Sequence, residues 1–103
     1  MNIQSMLGKK QKDNIIKKFR THDSDTGSPQ VQIALLTKEV EELTKHLKGH
    51  RKDFSSRRGL IKKVTERRRL LKYLEREDEV AYAKLVEALG LKAQPATPKV
   101  ENK

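Results

Sequence analysis

Apolar residues along the chain recur at steps of three and four, the spacing that forms one face of an α-helix. The clearest run lies between Pro29 and Lys48, where five aliphatic residues follow this spacing: Ile33, Leu36, Val40, Leu43 and Leu47. Ser28 precedes Pro29, and a serine N-cap followed by a proline is a typical helix start. The pattern therefore predicts a helix over 29–48 whose aliphatic stripe packs against other helices.

Three further segments have helical spacing, at about 7–20, 55–76 and 78–89. The longest has its apolar face at Leu60, Val64, Leu71 and Leu74, flanked by Ile61 and Leu70. Arg67 interrupts this apolar side, and Gly90 after the last segment predicts a C-cap. No alternating strand pattern occurs. The predicted class is therefore all-α, with four helices and no sheet: three longer helices packed as a bundle, and a short N-terminal or C-terminal helix.

Composition limits the size of the core. The chain has 103 residues, of which 34 % are apolar and 37 % are charged, so one small domain with a thin core is expected. After Lys92 the chain contains two prolines and few apolar residues. We therefore predict one helical domain over 1–92 and a disordered tail over 93–103.

Positive charge is concentrated in one part of the chain. Lysine and arginine number 24 against 14 acidic residues, a net charge of +10 that attracts polyanions such as nucleic acid. Four basic residues share one face of the third predicted helix with Tyr73: Arg58, Lys62, Arg69 and Arg76. A solvated face is the plain interpretation. A tyrosine among cations can stack on a base, however, so we favour a face that contacts phosphates.

Catalysis, metal binding and membrane insertion find little support. The chain has no cysteine, and its histidines and carboxylates form no arrangement of nucleophile and base, so we expect no enzyme and no cofactor. His46 and His50 have a spacing that can bind one metal ion with Asp53, but Gly49 interrupts the helix and no fourth ligand is evident. No apolar run reaches the roughly 18 residues of a membrane span, so a cytoplasmic protein is expected.

Short hydrogen-bond acceptors follow the second predicted helix. The minor groove of an RNA duplex is wide and shallow, and its 2′-hydroxyl groups and guanine amino groups can all donate. Asp53 and Ser56, with His46 beside them, would match these donors. The alternative is that Asp53 and Ser56 only cap the third helix. The residues by themselves leave both interpretations open.

The loop before the second helix has more polar residues than a helix start requires. In HDSDTGSPQVQ, residues 22–32, several residues are suitable caps, although one is sufficient. This loop belongs to a set of strings that occur in a recognisable order: DTGSPQVQIALLT, then H, KD and SRRGL, then RRRLLKYL. In order and spacing they resemble the bacterial small-subunit ribosomal protein S15 family, over about residues 8–92.

The resemblance implies a structural RNA-binding protein that joins the small ribosomal subunit early in its assembly. The implied site is the central domain of 16S ribosomal RNA, where a three-way junction would be contacted by Thr26, Gly27, Gln32 and Tyr73. The implied contacts to the minor groove of a neighbouring RNA helix are His46, Asp53 and Ser56. Further implied partners are 23S ribosomal RNA across the subunit interface, neighbouring small-subunit proteins and the protein's own messenger RNA. Outside the ribosome we expect a monomer.

Two consecutive positions depart from the family pattern, and two other functions stay open. Many members have a pair of histidines where this chain has Phe54 and Ser55. From the residues alone, the protein could instead be a helical adaptor whose aliphatic stripe binds another protein. It could also be a basic protein that binds nucleic acid without sequence preference.

Overall fold

The computed structural model describes residues 7–22 and 27–91, which form four α-helices. They are α1 (Lys9–Phe19), α2 (Pro29–Gly49), α3 (Phe54–Glu77) and α4 (Glu79–Leu89). α2 and α3 have 21 and 24 residues, and α1 and α4 have 11 each. Within the described ranges no strand occurs, so the predicted all-α class with four helices is confirmed.

Side chains at the ends of the loops fix where α2 and α3 begin. The Ser28 Oγ atom accepts a hydrogen bond from the Val31 amide at 3.3 Å, which confirms the predicted N-cap of α2. The Asp53 carboxylate accepts a hydrogen bond from the Ser56 amide at 3.0 Å. The sequence predicted a start at about residue 55. Because Asp53 is the N-cap, α3 begins one residue earlier, at Phe54.

The short helix α4 has a cap at each end. At its start the Asp78 carboxylate accepts a hydrogen bond from the Ala81 amide at 3.1 Å. At its end Gly90 has a φ of 70°, a left-handed conformation that glycine adopts without a clash of a Cβ atom. The Leu91 amide then donates to the Val86 carbonyl at 3.0 Å. The predicted C-cap at Gly90 is confirmed.

The core lies between α2, the second half of α3 and α4. It contains six buried residues: Ile33, Leu71, Leu74, Tyr82, Leu85 and Val86. The aliphatic stripe predicted on α2 consists of buried Ile33, Leu36 and Leu43 and half-buried Val40 and Leu47. Leu70 packs against the core, whereas Ile61 on the same helix is 60 % exposed. The apolar face of α3 is therefore narrower than its sequence indicates.

α2 and α3 are antiparallel neighbours, and two polar contacts fix their register. Lys63 Nζ lies 3.0 Å from Glu39 Oε1, and Arg67 Nη1 donates to Thr37 Oγ1 at 3.4 Å. Arg67 interrupts the apolar side of α3 because it reaches this hydroxyl on the facing helix. Burial lowers the pKa of the Arg67 guanidinium, which remains charged at neutral pH. The register places the start of α2 and the end of α3 at the same end of the molecule.

The described part of the molecule is thin, with extents of 41 × 40 × 17 Å. Because the molecule is thin, most polar side chains of the described residues lie on its surface. No helix within 7–22 and 27–91 is long and apolar enough to cross a membrane. The predicted tail over 93–103 lies outside the described residues.

Candidate nucleic-acid interface

Three of the predicted RNA-contacting residues meet where the loop between α2 and α3 enters α3. The Nε2 atom of His46 lies 2.8 Å from Asp53 Oδ2, and the Ser56 hydroxyl donates to the same oxygen at 2.7 Å. The Ser56 amide donates to Asp53 Oδ1 at 3.0 Å. We name His46, Asp53 and Ser56 the loop cluster. Its hydrogen bonds join α2, the loop and α3 around a single carboxylate.

Asp53 is both the N-cap of α3 and the centre of the loop cluster, so the capping interpretation is confirmed without excluding recognition. An ionised carboxylate has about four lone-pair positions, and the loop cluster uses three of them. The Asp53 side chain is 30 % exposed and that of His46 is 13 % exposed. Ser56 is buried, and its hydroxyl faces Asp53. Ser56 therefore orients the carboxylate, while Asp53 and His46 retain surface toward solvent.

Hydrogen bonds keep the Asp53 carboxyl of the loop cluster ionised. The Ser56 amide, followed by the His46 ring and the Ser56 hydroxyl, keeps the pKa of the Asp53 carboxyl well below its usual range. Because an ionised carboxylate only accepts, the His46 nitrogen that faces it carries a proton. The exposed part of the Asp53 carboxylate is therefore an acceptor, which suits RNA groups that donate.

His50 extends the loop cluster by stacking on His46. The two ring centroids are 4.3 Å apart and the ring planes differ by 8°. His50 Nδ1 lies 3.0 Å from the His46 carbonyl oxygen and donates its proton to it. Among the described residues, no group of three or more histidine and acidic side chains is arranged to hold a metal ion. His46 directs its Nε2 atom at Asp53 instead of at a point shared with His50.

A second group of predicted residues lies at the start of α2 and the end of α3. Gln32 Nε2 donates to the Gly27 carbonyl oxygen at 2.6 Å and so ties the loop to the helix. Tyr73 is 45 % exposed, and the Arg76 guanidinium lies 5.7 Å from the centre of its ring. The antiparallel packing places Gln32 and Tyr73 at the same end of the molecule. We name Gly27, Gln32 and Tyr73 the junction surface; Thr26 lies outside the described residues.

The loop cluster and the junction surface are at opposite ends of α3. Ser56 and Tyr73 are 17 residues apart in the sequence, which at about 1.5 Å per helical residue separates them by about 25 Å. The predicted basic residues are all exposed along this helix: Arg58, Lys62, Arg69 and Arg76. We name these four the basic face. Its first three members lie between the two surfaces along the helix.

An exposed aromatic residue lies beside the loop cluster, and no apolar pattern indicated its role. Phe54 is 60 % exposed at the first position of α3, and the Arg57 guanidinium lies 5.9 Å from the centre of its ring. Its exposure follows from the helical phase once the start of α3 is known, because residue 54 lies about 160° around the helix from buried Ser56. In the sequence, the only signal is that the resemblance to the S15 family leads us to expect a histidine where this chain has Phe54.

The fold and these surfaces together define a class: a thin, basic, all-α protein with polar surfaces at both ends of a long helix pair. The family model described as Ribosomal protein S15 matches residues 12–92. The chain therefore belongs to the ribosomal protein S15 family, as its motifs predicted. The family consists of structural, non-enzymatic proteins of the small ribosomal subunit. Membership confirms the prediction that the chain is not an enzyme and the prediction of a cytoplasmic, small-subunit location.

Curated relatives match most of the chain. The small ribosomal subunit protein uS15 of Carboxydothermus hydrogenoformans is 56 % identical over 86 residues, which is 84 % of this chain and 97 % of the relative. The protein of the same name from Fervidobacterium nodosum is 58 % identical over 81 residues, 79 % of this chain and 96 % of the relative. That from Dictyoglomus thermophilum is 54 % identical over 86 residues.

Proposed function

We propose that this chain binds the central domain of 16S ribosomal RNA at two places and thereby helps to nucleate assembly of the small subunit. The observation that carries the proposal is the loop cluster, in which His46 of α2 and Ser56 of α3 meet around the ionised carboxylate of Asp53. Such an arrangement is organised before any ligand arrives. Family membership supports the ribosomal setting of this binding.

The loop cluster is proposed to bind the minor groove of an RNA helix. The remaining lone pair of Asp53 and the free ring nitrogen of His46 would accept hydrogen bonds from a guanine amino group and from 2′-hydroxyl groups. Ser56 would hold the carboxylate in place through its amide and hydroxyl. A shallow groove suits these short side chains, because they need not extend far to reach it.

The junction surface is proposed to bind a three-way junction of the same RNA. Gln32 keeps its side-chain carbonyl oxygen as an acceptor while its amide nitrogen holds the Gly27 carbonyl. Tyr73 offers an exposed ring and hydroxyl beside a cation, a combination that can stack on an unpaired base or bond to a phosphate. Thr26 completes this proposed site through its hydroxyl group.

The basic face is proposed to contact phosphates and to supply most of the salt-dependent affinity. Arg58, Lys62 and Arg69 are exposed along α3 and lie between the two recognition surfaces. Cations in this position would neutralise the RNA backbone that connects the two contacts. Arg76 would extend the same face to the junction surface, although it also lies 3.4 Å from Glu77.

Further partners fit the same thin scaffold. We propose contacts with 23S ribosomal RNA across the subunit interface, with neighbouring small-subunit proteins and with the protein's own messenger RNA. The described part of the molecule is only 17 Å thick. While α3 lies on 16S RNA, the faces away from α3 would be accessible to these further partners. Outside the ribosome we propose a monomer, because the predicted stripe of α2 is largely covered within the chain. That coverage also disfavours the adaptor function.

Equilibrium binding to a fragment of the 16S central domain tests the proposal. We expect the protein to bind a fragment containing the three-way junction about a thousandfold more tightly than duplex DNA, or duplex RNA without a junction, at the same salt concentration. Equal affinities for the three ligands would favour binding without sequence preference. If the protein binds none of the three ligands but binds another protein, the adaptor function would be favoured. Either result would contradict the proposal.

A further inference from the structure

The ring of Phe54 lies outside the core. It is 60 % exposed at the first position of α3, where the chain has just been capped by Asp53. The helical phase turns Ser56 toward α2 and leaves Phe54 on the solvent side. A phenyl ring in this position contributes little to the core, and a polar residue would serve the helix start equally well.

The surroundings of the ring are held in place by the loop. The Phe54 amide donates to the Lys52 carbonyl at 2.9 Å, which closes the turn before the helix. Arg57 Nη2 donates to the Arg51 carbonyl at 2.8 Å, and its guanidinium lies 5.9 Å from the centre of the Phe54 ring. The ring and one cation are therefore positioned together, next to the loop cluster.

The neighbourhood favours a ligand that combines an aromatic surface with negative charge. Four basic residues that are close to Phe54 in the sequence are exposed: Arg51, Lys52, Arg57 and Arg58. The nearest exposed apolar residue on the same side of α3 is Ile61, seven residues further along, or about 10 Å along the helix axis. The two apolar side chains thus do not form the contiguous patch that marks a protein-binding surface. A nucleotide whose base is unstacked offers both an aromatic surface and a negative charge, so it matches this site.

We propose that Phe54 is a platform on which one unpaired base of the RNA stacks, beside the minor groove that the loop cluster holds. Arg57 neutralises the phosphate of that nucleotide. This inference rests on the proposed binding of the loop cluster to RNA, since Asp53 and Phe54 are consecutive residues. It adds a contact of a different kind: the loop cluster recognises donors in a duplex, whereas Phe54 recognises the face of a base outside it.

Fluorescence and affinity measured on the same RNA fragment test the inference. The fluorescent base 2-aminopurine is placed, one position at a time, at the unpaired nucleotides that flank the minor-groove site. We expect quenching on binding at one position, and its loss with Phe54→Leu, which keeps apolar bulk but removes the aromatic face. Phe54→Leu should also weaken binding at least about fivefold, and Phe54→Trp should restore both signals. Ile61→Ala, at an equally exposed apolar position of α3, should change neither.

The outcomes separate this inference from the function on which it rests. If Asp53→Asn weakens binding while Phe54→Leu changes neither affinity nor fluorescence, the stacking platform is wrong and the proposed function stands. If the wild-type protein does not prefer the junction fragment, the proposed function fails first. If Phe54→Leu binds RNA normally but fails to enter subunits reconstituted with the other proteins, the ring contacts a protein, and base stacking is overturned. Unchanged unfolding temperatures would exclude misfolding as the cause.

Discussion

At the scale of single residues, Asp53 combines a structural task with a proposed recognition task. Its Oδ1 atom caps α3 by accepting from the Ser56 amide, and its Oδ2 atom accepts from His46 and from the Ser56 hydroxyl. The same hydrogen bonds that keep the carboxyl ionised also prevent it from rotating. In the proposed complex, an RNA donor would therefore meet an acceptor whose position has already been set by the fold.

Asp53→Asn separates these two tasks. Asparagine is a good N-cap, so we expect the unfolding temperature to stay close to that of the wild type. The amide group replaces an oxygen that accepts two hydrogen bonds, so affinity for the junction fragment should fall about tenfold or more. Asp53→Ala should lower both stability and affinity. If Asp53→Asn binds RNA as tightly as the wild type, Asp53 acts only as a cap.

The depressed pKa of Asp53 predicts how acid affects stability. Because the folded-state pKa lies below the unfolded value of about 4, ionised Asp53 stabilises the fold above that pH, and the contribution is lost as the pH falls toward the folded pKa. We expect the difference in unfolding free energy between wild type and Asp53→Ala to be constant above about pH 5 and to narrow below about pH 4. Urea unfolding at several pH values measures this difference. If this difference in unfolding free energy stays constant into the acid range, the lowered pKa of Asp53 would be contradicted.

At the scale of elements, a buried ion pair fixes how α2 meets α3. Lys63 Nζ and Glu39 Oε1 are 3.0 Å apart, and their side chains are only 17 % and 10 % exposed. Together with the contact between Arg67 and Thr37, the pair determines which residues of the two helices face each other. The register in turn holds the loop cluster at one end and the junction surface at the other.

Removing one partner of this pair should be costly. We expect Glu39→Ala or Lys63→Ala to lower the free energy of unfolding by about 3 kcal/mol, because each leaves a charge buried without its partner. The double variant should lose much less than the sum of the two. Lys45→Ala is the matched control: Lys45 is 73 % exposed in its pair with Glu42, and its loss should cost about 0.5 kcal/mol or less. If the loss of unfolding free energy in the double variant equals the sum of the losses in the two single variants, the proposed coupling between Glu39 and Lys63 would be contradicted.

Local patterns predicted the elements well and the contacts between them poorly. The steps of three and four, the Ser28 cap and the Gly90 cap each depend on neighbours in sequence, and all three are confirmed. The pairing of Glu39 with Lys63 depends on the register of two helices, for which the sequence has no local signal. The exposure of Phe54 depends on the residue at which α3 begins. Motif resemblance, by contrast, indicated His46, Asp53 and Ser56 before any geometry showed that they meet.

At the scale of the whole molecule, charge and shape act together. A net charge of +10 on a thin scaffold places cations close to any nucleic acid that lies along α3. Long-range attraction would bring RNA to the protein without selecting a sequence, and the two end surfaces would then select the structure. Affinity and specificity should therefore respond to different substitutions.

Salt titrations distinguish these contributions. We expect Arg58→Ala or Lys62→Ala to reduce the slope of log affinity against log salt by about 0.7–0.9, the effect of one lost phosphate contact. Asp53→Asn should weaken binding without changing this slope. Lys38→Ala is a control because Lys38 lies on α2, 3.7 Å from both Glu41 and Glu42. An unchanged slope for both Arg58→Ala and Lys62→Ala would remove those residues from the phosphate contacts.

The most direct test of two-surface recognition is hydroxyl-radical footprinting of 16S ribosomal RNA with the wild-type protein and two variants. We predict two protected regions, one at a three-way junction and one along the minor groove of an adjacent helix. Tyr73→Leu should weaken protection at the junction more than in the groove, and Asp53→Asn should do the reverse. A single continuous protected region, or equal loss of both regions in both variants, would contradict recognition by two separate surfaces.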